Sequence, residues 1–345
     1  MKKEELSQRD KQEKAWTKKR VNYHNRQVKG TDMWMEQAQK ELKKKLDETG
    51  LKQIFVPLHL NEVPTTEFLF VNAKLNKIHS MYCDLYEELP YRPDMAFDVV
   101  WRSFEVMSKY YSCKVWNDPD IKDTLLFQRV SQEVIVNLLN SNNQLEKSFN
   151  LLFESIPDTT LRFMVVRLFV SRDLVVLPQL HYIKERAKKI LTDNHYDAFY
   201  NTYFEANGTL SPENHIKAAR MMRSILKGEA VEMNGVSFKP FDLCERIELL
   251  ISCILYVSRC ERYHGDYVSQ FKSNMAKQVT YYNFYYLLTI TDLLFWMVWY
   301  KFADHQRLGQ IFSLEELAAY SERRRANLDA VFVSKKKDES QQEND

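Results

Sequence analysis

The run Tyr281–Phe302 (YYNFYYLLTITDLLFWMVWYKF) constrains the fold more than any other stretch. It is apolar on nearly every side of a helix and has about the length of a bilayer crossing, roughly 20 residues. Asn283, Thr289, Thr291 and Asp292 interrupt it, however. An acidic side chain in mid-span is expensive in lipid. The run therefore predicts a buried helix in a water-soluble chain, and a helix apolar all round needs other elements packed about it.

The surrounding sequence supplies helices. Only 7 Gly and 9 Pro in 345 residues disfavour an all-β or collagen-like chain, while 19 Tyr and 20 Phe point to an aromatic interior or interface. Pro93 opens a helix whose residues Phe97, Val100, Trp101, Phe104, Met107 and Tyr111 form one aromatic face. Further helices are expected over Met33–Asp47, Ala73–Leu89, Leu125–Leu139, Leu145–Glu154, Thr160–Val170, Leu180–Thr192 and Asp197–Ala206. Thr160–Val170 is apolar enough to be central. Asn207-Gly208 reads as a left-handed cap. Ser211-Pro212-Glu213 starts a helix that ends at Lys227-Gly228. Phe241–Ser258 buries Leu243, Ile247, Leu250, Ile251, Ile254 and Leu255. Ser313-Leu314-Glu315-Glu316 is a capping box opening a helix through about Val331.

Two stretches read differently. Residues 231–238 hold Asn234-Gly235 between short apolar pieces, the pattern of a small hairpin. Residues 51–72, with Pro57 and Pro64, fit either short extended pieces or a loop between helices. The fold class is thus all-α with a small β-hairpin insertion and a helical N-terminal arm.

Charge and cysteines exclude several functions. A net charge of +2 is too small to mark a nucleic-acid binder by itself, although residues 1–30 hold 10 Lys/Arg against 4 Asp/Glu. This basic arm, residues 1–50 with a helix over Lys2–Trp16, reads as a solvated face or as an RNA- or partner-docking segment. Five cysteines without a CxxC pair disfavour a disulfide framework and a tetrahedral zinc site. No cofactor and no metal are expected. No apolar h-region follows the first residues, which predicts a cytoplasmic chain without a secretory signal. Arg323-Arg324-Arg325 reads as a solvated face, Asp292 as a hydrogen-bonded core residue, and 334–345 as a disordered tail.

The chemistry concentrates in Ser258-Arg259-Cys260-Glu261-Arg262-Tyr263-His264-Gly265-Asp266, a polar island between two apolar helices. Buried ions are costly unless paired or used. The bare Arg-x4-His spacing recurs by chance roughly once in a chain of this composition, so its context carries the weight. On a continuous helix Arg259 and His264 would stand about 140° apart. To share a pocket, either the helix loosens near 260–264 or the two groups converge across two chains. Arg259 can instead pair with Asp266 or Glu261 while His264 caps a helix.

In this setting the island resembles the motif of the HEPN superfamily, and Phe97-x3-Trp101 is similar to the aromatic face of that family's early helix. The resemblance spans roughly 93–305, taken as a HEPN-like helical domain. Residues 51–92 are then a connecting segment and helix, and 306–333 a C-terminal helix. The resemblance implies a metal-independent endoribonuclease with Arg259 and His264 as its catalytic pair. It further implies a homodimer, with helix 281–302 helping to build the interface, and a toxin or phage-defence role with an antitoxin or regulatory partner. Arg262 and Lys272 are candidate RNA contacts, each with a solvated alternative. Cys260 stands where the family usually has a polar residue. The competing functions are a non-catalytic helical scaffold for a protein partner and a membrane-associated protein anchored by 281–302.

Overall fold

The computed structural model describes residues 15, 18, 21, 37–169, 179–205, 210–263, 271, 276–306 and 311–333, without the side chains of 179–184 and 261–263. The chain is all-α with one two-stranded hairpin among these residues. Its axis is the aromatic run. The helix Gln278–His305 is 28 residues long, about 42 Å at 1.5 Å per residue, and is buried from Tyr281 to Trp299 apart from Tyr282 and Asn283. Among the described residues no helix is long and apolar enough to cross a membrane.

The other elements wrap this axis. α1 (Gln37–Thr49) sets Ala38, Leu42 and Leu46 inward. α2 (Glu62–Val71) and α3 (Ala73–Cys83) meet at Asn72, whose side chain caps α3 by accepting from the Leu75 N–H. The stretch left open in the sequence is thus irregular over 51–61 and helical after that. Pro64 is third in α2, where its missing N–H costs nothing. The single helix expected over Ala73–Leu89 is broken at Asp84, with Leu85–Glu88 a separate short α4.

α5 (Pro93–Tyr111) packs its predicted aromatic face along the axial helix and buries all six named residues. α6 runs over Asp123–Arg129, widens to a π-helix at Val130–Val136 and closes as Asn137–Ser141. Asn142 stops it and caps α7 (Asn143–Glu154) through its side chain. α8 (Asp158–Phe169) buries Leu161, Met164, Val165, Leu168 and Phe169. α9 (Gln179–Leu191) and α10 (Asp193–Tyr203) follow, α10 starting four residues before its expected Asp197. The expected cap at Asn207-Gly208 lies outside the described residues.

α11 (Pro212–Lys227) is capped by Ser211 and ended by Gly228 at φ 75°. β1 (Val231–Met233) and β2 (Val236–Phe238) pair antiparallel with Val231 opposite Phe238. Asn234 and Gly235 both take positive φ, as a type I′ turn requires. α12 starts at Asp242 with a capping box, runs Leu243–Leu249, passes through a π-helix at Leu250–Leu255 and continues as Tyr256–Tyr263. The axial helix is α13, and α14 (Leu314–Phe332) starts at the predicted capping box on Ser313.

Two expectations are corrected. Arg324 is 1% exposed, not part of a solvated face, because it follows Tyr320 by one turn on the buried stripe of α14. The side chains of α13 from Phe284 to Trp299 are buried within one chain and do not form an interface between copies, whereas Val279 is exposed and Tyr282 and Tyr300 are half-buried. The expected arm helix Lys2–Trp16 and the tail 334–345 fall almost wholly outside the described residues.

Candidate functional site

Arg259 lies on the last described turn of α12, after the π-helical stretch has shifted that helix by a fraction of a turn. Its side chain is 26% exposed, and its Nη2 lies 3.9 Å from Oε2 of Glu105 on α5. Glu105 accepts from Lys109 Nζ at 2.9 Å, and the same ammonium reaches Asp123 of α6 at 3.1 Å. A short chain of alternating charges thus crosses from α6 over α5 to Arg259. Beside it, Cys260 is buried, with its sulfur 4.0 Å from Arg259 Nη1.

One turn earlier, Tyr256 forms the floor. Its ring meets Trp101 and Phe127 edge-on at 6.3 and 6.0 Å. The Arg186 guanidinium of α9 covers it at 4.0 Å, a cation–π contact strengthened where water is excluded. Burial, then the neighbouring Cys260, pushes the Tyr256 hydroxyl up to about 12, so it stays protonated at neutral pH. Phe271 is buried edge-on against Tyr281 and Phe284 of α13, at 4.9 and 5.6 Å. That contact fixes where the segment after the island returns to the axis.

Of the nominated residues, Arg259 alone can be placed by its side chain. His264 and Lys272 lie outside the described residues, as does the Arg262 side chain. The backbone stays helical through Tyr263, so the helix does not loosen over 260–263. Sequence reasoning missed Glu105 and nominated the nearby Glu261 or Asp266 instead. A signal existed: Glu105 follows Trp101 by four residues on α5, one turn beyond the ring that meets Tyr256 of α12.

Two other polar places serve the fold. Asp292 is wholly buried in α13 and accepts from Tyr82 at 2.6 Å and Tyr320 at 2.5 Å. A groove of about 1240 Å³ is lined in part by Lys45, Asp158, Arg223, Tyr282, Arg325 and Asp329. Its cations are already engaged: Lys45 with the Val331 carbonyl, Arg223 with Asp158, and Arg325 with Asp329. Among the described residues no cluster of three His, Cys, Asp or Glu side chains can hold a metal ion, and the five cysteines are free. No family model, curated protein or solved structure matches the chain.

Proposed function

We propose that the chain is a metal-independent endoribonuclease of HEPN type acting through Arg259 and His264. The observation that supports this reading is the setting of Arg259. The Arg259 guanidinium, near the end of α12, faces the Glu105 carboxylate at 3.9 Å while a quarter of its side-chain surface stays open. Such a cation suits the crowded oxygens of a phosphorane.

In the proposed reaction the RNA's own 2′-oxygen attacks phosphorus, and the bond to the 5′-oxygen breaks. His264 takes the 2′-hydroxyl proton or supplies one to the leaving 5′-oxygen. The products are a 2′,3′-cyclic phosphate and a 5′-hydroxyl, with no external nucleophile consumed. Arg262 and Lys272 would touch flanking phosphates. A toxin or defence role, and control by an antitoxin, belong to the same proposal.

The test is incubation with mixed tRNA and mRNA in EDTA, with the ends mapped. Cleavage leaving cyclic phosphates should fall roughly 10²- to 10⁴-fold in His264→Ala and about 10²- to 10³-fold in Arg259→Ala. Cleavage persisting in both variants would remove this site from consideration. An intact RNA pool, with the chain instead captured in a stable hetero-complex, would favour the scaffold reading.

A further inference from the structure

Arg186 of α9 is a cation that the fold does not balance. It is half-buried, with its guanidinium over the Tyr256 ring at 4.0 Å. Its Nε and Nη1 are buried and find no hydrogen-bond partner. Arg92, Arg129, Arg223 and Arg325 each pair with a carboxylate, at 2.9, 2.8, 2.6 and 2.7 Å. Among the described residues no such carboxylate holds Arg186. Burying an unpaired charge is costly, so the place calls for an anion from outside the chain.

The surroundings of Arg186 say what kind of anion. Trp101 of α5, Tyr256 of α12 and the Arg186 guanidinium form one layer. Glu105 and Arg259 form the next, one turn further along α5 and three residues further along α12. The α12 backbone is regular α-helix from Tyr256 to Tyr263, so this step is about 4.5 Å along its axis. Two cations thus stand on successive layers of the same helix pair, and only Arg259 has a carboxylate facing it. A chain of phosphates can meet both, whereas a single small anion meets one. The aromatic ring holds the guanidinium plane in place, so little freedom is lost when a phosphate docks on it.

We infer that Arg186, held on the Tyr256 ring, binds a backbone phosphate of the RNA next to the one engaged by Arg259. The inference rests on the ribonuclease reading of the Arg259 site. It adds to that site a binding residue from a helix outside the Arg-x4-His motif.

The test titrates the full chain with a labelled single-stranded 2′-O-methyl oligonucleotide, whose blocked 2′-oxygen prevents cleavage, at salt from about 50 to about 200 mM. Arg186→Gln should weaken binding roughly tenfold at the low-salt end. The slope of log affinity against log salt should become shallower by about 0.7, the loss of one phosphate contact on a single strand. Arg186→Lys keeps the charge and should keep the slope, so the change in Arg186→Gln reports the contact rather than a disturbed α9. The melting temperature of Arg186→Gln should stay at or above that of the wild type, because an unpaired charge has been removed from the interior. Wild-type binding with a slope unchanged in Arg186→Gln would overturn this inference alone. A variant that melts lower yet binds as the wild type does would assign Arg186 to the fold, with the same consequence. No binding by the wild type would overturn the inference together with the ribonuclease reading.

Discussion

Asp292 has to be accommodated in the middle of a helix with no access to water. Burial lifts its carboxyl above the ordinary value near 3.8, against the opposing Arg324 charge and the hydroxyls of Tyr320 and Tyr82. Arg324 lies over the Phe55 ring at 3.3 Å and reaches Thr289 at 3.4 Å, and its Nε and Nη1 lack hydrogen-bond partners. Each charge is therefore tolerated chiefly because the other is present. Arg324→Leu should destabilise the chain by about 3–5 kcal/mol by stranding the carboxylate, and Asp292→Asn should cost a similar amount by stranding the cation. The double variant should recover most of the loss, measured by urea unfolding. The pH dependence follows from the raised folded pKa. The folded chain binds this proton more tightly than the unfolded one, so the group's contribution rises as pH falls through the folded pKa toward 3.8. Arg324→Leu should accordingly lose less stability at about pH 5 than at about pH 8. The sequence marks Asp292 as a core hydrogen-bonder. It hides the partners, because Tyr82 lies 210 residues away and Arg324 sits between two other arginines.

At the scale of elements, local chemistry was legible wherever a short-range signal fixes the backbone. Ser211, Asn234-Gly235 and Ser313 each mark a boundary found in the structure. The Ser313 box is reciprocal: its hydroxyl accepts from the Glu316 N–H at 3.1 Å, and the Glu316 carboxylate accepts from the Ser313 N–H at 2.7 Å. Ser313→Ala should cost about 1 kcal/mol, read as a lower urea midpoint at unchanged slope. An unchanged midpoint would mean that packing alone sets the start of α14. The π-helical stretches in α6 and α12 have no comparable signal. An i→i+5 ladder is chosen by packing rather than by residue type, and the shift in α12 bears directly on where Arg259 points. Similarly, α2 was obscured because two prolines and apolar residues on both faces mimic a loop as readily as a helix. Its outward Phe70 and Val71 carry no inward periodicity.

At the scale of the molecule, the buried core is continuous from Ala38 in α1 to Val331 in α14. α14 is bound into it by hydrogen bonds as well as by apolar contact. Ser321 pairs with Ser148 of α7 at 2.7 Å, Asn327 donates to the Ile54 carbonyl at 3.0 Å, and Tyr320 donates to Asp292. Phe332 stacks on Tyr282 of α13 at 5.3 Å. In the sequence this segment is separable from the stretch 93–305, because capping and amphipathicity define a helix without naming what it packs on. A chain ending after residue 312 should therefore not behave as a smaller version of the same fold. It would uncover one side of α13 and leave Asp292 with neither Arg324 nor Tyr320, a buried charge worth several kcal/mol of destabilisation. The expected outcome is loss of near-UV circular dichroism with helical far-UV signal retained, together with dye binding to exposed apolar surface. A truncated chain that melts sharply with native near-UV bands would show instead that α14 is an appendage and that the axis is stable without it.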